Sequence, residues 1–175
     1  GRPGAPRADR GEGPREGDAW GAVRARVAAV IDRLRGMGRK LVVVATGNGK
    51  WKVLFARLDL ARRFDVILDS TEEGVEKPDS RLFEIALERS ASRPEDTLHV
   101  GDLYHVDVEG ARGAGLRALL LDQAALYADL DSTRTRTLAD LPELVAQERT
   151  RGRGQSHTAR SQRGRPPQHR TTHRP

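Results

Sequence analysis

The chain has 175 residues, no cysteine, a formal charge of +6 and only 4% aromatic residues. That length gives room for one domain of ordinary size, and the lack of cysteine rules out both a disulfide framework and a thiolate metal site. No apolar run approaches the roughly 20 residues of a membrane helix or forms a signal-peptide h-region, so a soluble cytoplasmic protein without a membrane partner is expected.

The charge is unevenly placed. From Arg149 to the end there are eight arginines and no acid, whereas arginines and acids balance in Gly1–Asp18. The basicity belongs to the tail and does not mark the middle of the chain as a nucleic-acid binder.

Gly1–Asp18 contains Gly, Pro, Arg and Glu but no Leu, Ile, Val or Phe. It lacks the apolar surface that offsets ordering entropy, and is expected to be disordered. Residues 19–148 then alternate helical patterns with short apolar runs. Ala22–Leu34 places Val23, Val27, Val30, Ile31 and Leu34 on one helical face, and Gly36-Met-Gly38 stops it. Lys40–Ala45 is β-branched without alternation, which predicts a strand buried on both faces. After the turn Thr46-Gly-Asn-Gly49 come a helix over Lys50–Leu60, a strand over Phe64–Leu68 and a helix over Asp79–Arg89. A strand over Thr97–Val100, a helix over Val106–Ala114, a strand over Arg117–Leu121 and a closing helix over Leu138–Ala146 complete the order. Residues 149–175 resemble the first segment in composition and are expected to be a disordered basic tail. Strands separated by helices predict an α/β fold: a Rossmann-like parallel sheet flanked by helices, with ligands beyond the carboxyl ends of its strands.

Several residues at those strand ends carry chemistry. In His99-Val-Gly-Asp-Leu-Tyr-His-Val-Asp107, Asp102 follows a strand and Asp107 lies five residues on. Two carboxylates so placed can converge on a hard cation such as Mg²⁺, or can simply occupy a turn and a helix start. Lys77, in Glu-Lys-Pro-Asp, is either a solvated loop lysine or a cation for a phosphoryl group. Thr46 and the Gly47-Asn48-Gly49 turn offer a hydroxyl and N–H groups to a phosphate, or form a plain strand-to-helix turn. His99 and His105 flank the acidic pair without ligand spacing to a second histidine, and read as structural.

In order along the chain, the strand ending at Thr46, FDVILDSTEEGVEKPDSRLFEIALE and DTLHVGDLYHVDVEGARGAGLRALLLD resemble the second, third and fourth motifs of the haloacid dehalogenase-like (HAD) hydrolase superfamily. The resemblance runs from about Ala22 to Leu121 and is nearest to its phosphatase-like subgroup. It implies a Mg²⁺-dependent phosphatase acting on a small phosphorylated metabolite. In that resemblance Lys77 stabilises the transferring phosphoryl group and Thr46 hydrogen-bonds one of its oxygens. Asp102 holds Mg²⁺, and Asp107 supports that coordination directly or through water. Mg²⁺ is the only cofactor implied.

The sequence departs from the family in two places. Ala45-Thr46 stand where the subgroup has Ser-Asn, so Thr46 becomes the hydroxyl donor only with a shift of one residue. Before Ala22 there is no apolar strand ending in Asp-x-Asp, the motif whose first aspartate is the family's nucleophile, and no cap follows. That first strand lies between the second- and fourth-motif strands in the family. The chain is therefore expected to be a truncated, catalytically impaired HAD-like core with its central strand missing. The alternative is a non-catalytic HAD-like remnant or an interaction protein using its tail. Arg151-Gly152-Arg153-Gly154 permits weak, salt-dependent nucleic-acid binding, although the tail has no aromatic residue for base stacking. Without a cap, the substrate is not legible.

Overall fold

The computed structural model describes residues 16–147, with side chains from Gly21 onward. The arginine tail and the residues before Glu16 lie outside these, and with them most of the disorder expected at both ends. Helix α1 spans Glu16–Gly36 and so reaches back into the segment to Asp18 for which disorder is expected. Only its second half packs: Ile31 and Leu34 are buried, whereas Val23 is 49% exposed.

Strand β1 (Val42–Ala45) runs parallel to β2 (Val66–Asp69), with Val42 opposite Val66 and Ala45 opposite Asp69. Just upstream, Leu41 N–H donates to Asp65 Oδ2 at 2.7 Å and Asp65 N–H donates to the Leu41 carbonyl at 2.8 Å, which fixes the register. Between them α2 (Trp51–Arg57) is shorter than the expected Lys50–Leu60. Asp59 turns left-handed, with φ at 55°, and a 3-10 turn over Ala61–Arg63 follows. Two short elements escape the periodicity. Helix α3 (Ser70–Glu73) starts on Asp69 and stops at Gly74, whose φ of 68° suits a residue without a Cβ. It is too short to show a helical repeat. The other, β5, appears below.

Helix α4 (Ser80–Ser90) is capped by Asp79, whose Oδ1 accepts from Arg81 N–H at 2.9 Å. Strand β3 (Leu98–Gly101) leads into a single π-helical segment, Tyr104–Val108, and then α5 (Glu109–Gly113). The helix expected over Val106–Ala114 is thus split by a wider first turn. Strand β4 is Arg117–Leu121, as expected, and β5 is only Arg134–Thr135. These three form a second parallel sheet in the order β3-β4-β5, with Leu98 opposite Arg117 and Leu120 opposite Arg134.

Among the described residues there are therefore two parallel sheets rather than one. β1 has a ladder only to β2, and β3 only to β4. The strand expected to be buried on both faces is in fact half-buried over Val42–Val44, and all four residues of β3 are half-buried too. Each lacks a neighbour on one edge, which leaves its side chains partly in solvent. The fold is the α/β, Rossmann-like one expected, with its break between the second- and fourth-motif strands.

Helix α4 packs on β1 and β2 and against α5, and α5 packs on β4. Phe83, Leu87, Ala111 and Leu116 form one buried cluster, and Tyr104, Val108 and Leu120 form another. The chain from Asp140 is a separate unit. Its described part follows the 3-10 turn Leu138–Asp140 with a helix, α6, over residues 141–147. No described helix is long and apolar enough to cross a membrane.

Candidate active site

Pleating puts His99 and Gly101 on the same face of β3, since side chains alternate along a strand. Asp107 lies over that face. A Cβ built on Gly101 would sit 2.3 Å from both Cβ and Cγ of Asp107, so only glycine lets the carboxylate settle there. The π-helical turn of Tyr104–Val108 carries Asp107 back to this position.

The Asp107 carboxylate is 2% exposed and well supplied with donors. Its Oδ1 accepts from Lys77 Nζ at 2.6 Å and lies 3.3 Å from His99 Nε2, while its Oδ2 accepts from Leu103 N–H at 3.0 Å. Burial works to raise its pKa. The hydrogen bonds of His99, Lys77 and Leu103 N–H, with the charge of Lys77, outweigh burial and hold the carboxyl far below the usual carboxylate range. Lys77, its side chain 12% exposed, reaches this oxygen from the loop before α4.

Asp102, on the turn after β3, is exposed and has no hydrogen-bond or ion-pair partner among the described residues. Thr46 stands at the end of β1, in the other sheet. It is exposed, its carbonyl accepts from Trp51 Nε1 at 3.3 Å, and its hydroxyl has no described partner. The four candidate residues thus divide. Lys77 and Asp107 are in contact, whereas Asp102 and Thr46 each make no hydrogen bond to them.

These positions bear on Mg²⁺. An unpaired, exposed carboxylate at a strand's carboxyl end suits a hard cation, which is commonly bound through one or two carboxylates and keeps several waters. Asp102 fits that description. Asp107 is engaged by two donors on Oδ1 and one on Oδ2, so its first role here is to hold Lys77. Among the described residues no three carboxylate or imidazole side chains converge.

The Thr46 loop is held by residues distant in the chain. Gly47 N–H donates to Ser70 Oγ at 3.2 Å and Thr71 Oγ1 donates to the Gly47 carbonyl at 2.6 Å. The Trp51 ring covers Gly47, where a Cβ would meet Trp51 Nε1 at 2.1 Å. Asp69 is fully buried beneath the loop. Its Oδ1 caps α3 by accepting from Thr71 N–H at 3.1 Å, and its Oδ2 has no hydrogen bond of good geometry. Burial would raise the Asp69 pKa, but N–H groups of Thr71, Gly49 and Trp51 and the Thr71 hydroxyl, turned toward it, lower it. Asp69 falls one residue past the expected strand Phe64–Leu68, with no pattern to mark it, so only its non-local neighbours reveal it. His105 is exposed and pairs with Glu109 one turn on, at 2.9 Å.

A haloacid dehalogenase-like hydrolase family model matches residues 12–115. The chain belongs to this family. Two curated phosphatases are similar to it over half or more of its length. Glyceraldehyde 3-phosphate phosphatase of Methanothermobacter thermautotrophicus is 36% identical over 106 residues, covering 59% of this chain and 46% of that protein. Phosphoserine phosphatase of Thermus thermophilus is 39% identical over 89 residues, covering 51% and 36%. A solved HAD phosphatase from Thermococcus onnurineus superposes with a TM-score of 0.64 at 25% identity, over 67% of this chain and 55% of that one. A 2-haloacid dehalogenase from Pseudomonas syringae does so with 0.63 at 30% identity, over 70% and 52%. The chain spans less than half the length of the two curated relatives.

Proposed function

We propose that this HAD-like chain carries the phosphoryl-binding side of a phosphatase site for a small phosphorylated metabolite. The observation that carries this reading is the buried Lys77–Asp107 pair beside β3, at 2.6 Å. A lysine held by a carboxylate that cannot leave presents fixed positive charge where negative charge grows on a phosphoryl group. Relatives named for glyceraldehyde 3-phosphate and phosphoserine support a short phosphomonoester as the substrate class.

In this reading Lys77 contacts the phosphoryl oxygens and Thr46 donates its hydroxyl to one of them. Asp107 keeps Lys77 in place. Asp102 holds Mg²⁺, which when bound neutralises further phosphoryl charge. No residue of this sequence stands in an Asp-x-Asp motif after an apolar strand, so we infer that the chain alone turns over slowly.

Hydrolysis of p-nitrophenyl phosphate with Mg²⁺ tests the reading, beside binding of inorganic phosphate by calorimetry. Slow turnover, below the usual ~1–10³ s⁻¹ and abolished by Asp102→Ala and Lys77→Ala, is expected. Turnover indifferent to both substitutions would refute the assignment. Phosphate binding lost in Lys77→Ala without any turnover would favour a non-catalytic HAD-like remnant.

A further inference from the structure

We propose that His99 is a positioning residue: its Nε2–H holds Asp107 Oδ1 in the place where Lys77 Nζ binds it, and so aims the lysine. The inference rests on the role given above to Lys77 and extends the site to a strand residue for which the resemblance implies no role.

The chemistry of Asp107 sets the tautomer. An ionised carboxylate only accepts hydrogen bonds, so the ring nitrogen 3.3 Å from Oδ1 must carry a proton. The 3.3 Å contact is long for a hydrogen bond. It contributes direction rather than much energy, because the 2.6 Å contact to Lys77 supplies the strong attraction. Leu103 N–H anchors Oδ2, but without His99 the other oxygen, Oδ1, would be held only by Lys77, a long and flexible partner. A second donor on Oδ1, from a rigid strand, restricts the motion that remains.

The ring itself is locked. Its centroid lies 4.9 Å from that of Phe83 with the planes at 86°, an edge-to-face contact with a side chain that is 1% exposed. Phe83 is seated in turn by Gly110, where a Cβ would fall 2.8 Å from Phe83 Cε2 and 2.9 Å from the Pro78 carbonyl oxygen. Pro78 follows Lys77. The packing therefore closes a circuit from α5 through Phe83, His99 and Asp107 to Lys77 and back. A histidine serving only to fill the core would not need a nitrogen aimed at the one carboxylate that Lys77 uses.

The test reads Lys77 directly. Limited acetylation of the full chain, followed by mass spectrometry, gives the modification rate of Lys77 against the exposed Lys50. His99→Met keeps bulk without the donor, and His99→Gln keeps an N–H at similar reach. We expect Lys77 to be modified several-fold faster in His99→Met and at the wild-type rate in His99→Gln. The same pair should divide kinetically: kcat roughly tenfold lower with KM little changed in His99→Met, and restored in His99→Gln. Equal Lys77 rates in wild type and folded His99→Met overturn the proposal. So does a His99→Gln variant that behaves like His99→Met. If His99→Met fails to fold by circular dichroism, His99→Asn, too short to reach Oδ1, takes its place under the same criteria. Lys77 rates that follow the prediction in a chain without turnover would sink the phosphatase reading alone and leave the His99–Asp107–Lys77 tie standing.

Discussion

Asp107 is the residue on which most others depend, and its neighbours make that dependence measurable. Asp107→Asn removes the charge between Lys77 and His99 while keeping the shape. With the lysine only 12% exposed, breaking the pair should cost about 3 kcal/mol, read from the urea midpoint. Gly101→Ala tests the same spot from below. The added methyl must displace Asp107, so a loss of about 1–3 kcal/mol and faster modification of Lys77 are expected together. The carboxyls of Asp107 and Asp69 both lie below their ordinary value of 3.8 in the folded chain. The unfolded chain therefore takes up their protons first as pH falls. Their stabilisation is complete above about pH 4 to 5 and is lost progressively below it, and Asp107→Asn should flatten that acid slope. At this scale the sequence was partly legible. Asp102, Asp107 and Lys77 stand out because a strand, a turn and a proline fix where they fall. His99 does not, since a lone histidine in a strand has no spacing to betray its partner. Its role depends on which face of β3 the fold puts under Asp107.

Among elements, helix α1 gives the plainest contrast between pattern and packing. Its apolar face spans Val23 to Leu34, yet only the Ile31 and Leu34 end is buried. Leu34→Ala should cost about 2–4 kcal/mol, while Val23→Ala, at 49% exposure, should stay within about 0.5 kcal/mol. Equal effects in thermal melts would mean that something covers the first half of the helix. Periodicity reports the face a helix offers, not whether anything meets it. The loop after β1 fails to show in the sequence for a similar reason, because Ser70 and Thr71 grip Gly47 from more than twenty residues away. Asp69→Ala removes the α3 cap and should cost about 1–2 kcal/mol, with faster hydrogen exchange at the Gly47 amide. Strand β5 is two polar residues, Arg134–Thr135, and carries no apolar signal to find.

For the whole molecule, the alternation of strands and helices was enough to give the α/β class, since it depends only on local pattern and crossover rules. Which strands share a sheet was not legible, because edges are decided by neighbours rather than by a strand's own residues. The open edges of β1 and β3 have a direct readout. Amides of these strands that point away from β2 and β4 should exchange quickly, and their alternate neighbours slowly; uniform protection would mean that the edges are covered. A further consequence concerns cooperativity. Among the described residues no ladder joins the two sheets, and the β1–β2 half and the β3–β5 half are coupled through α4 and α5, which meet closely at Phe83 and Gly110. Trp51 lies in the first half, and both tyrosines, Tyr104 and Tyr127, lie in the second. The molecule thus holds a separate optical reporter for each half. A side chain at position 110 large enough to part α5 from Phe83 should turn one shared unfolding transition into two, one seen by Trp51 and the other by the tyrosines.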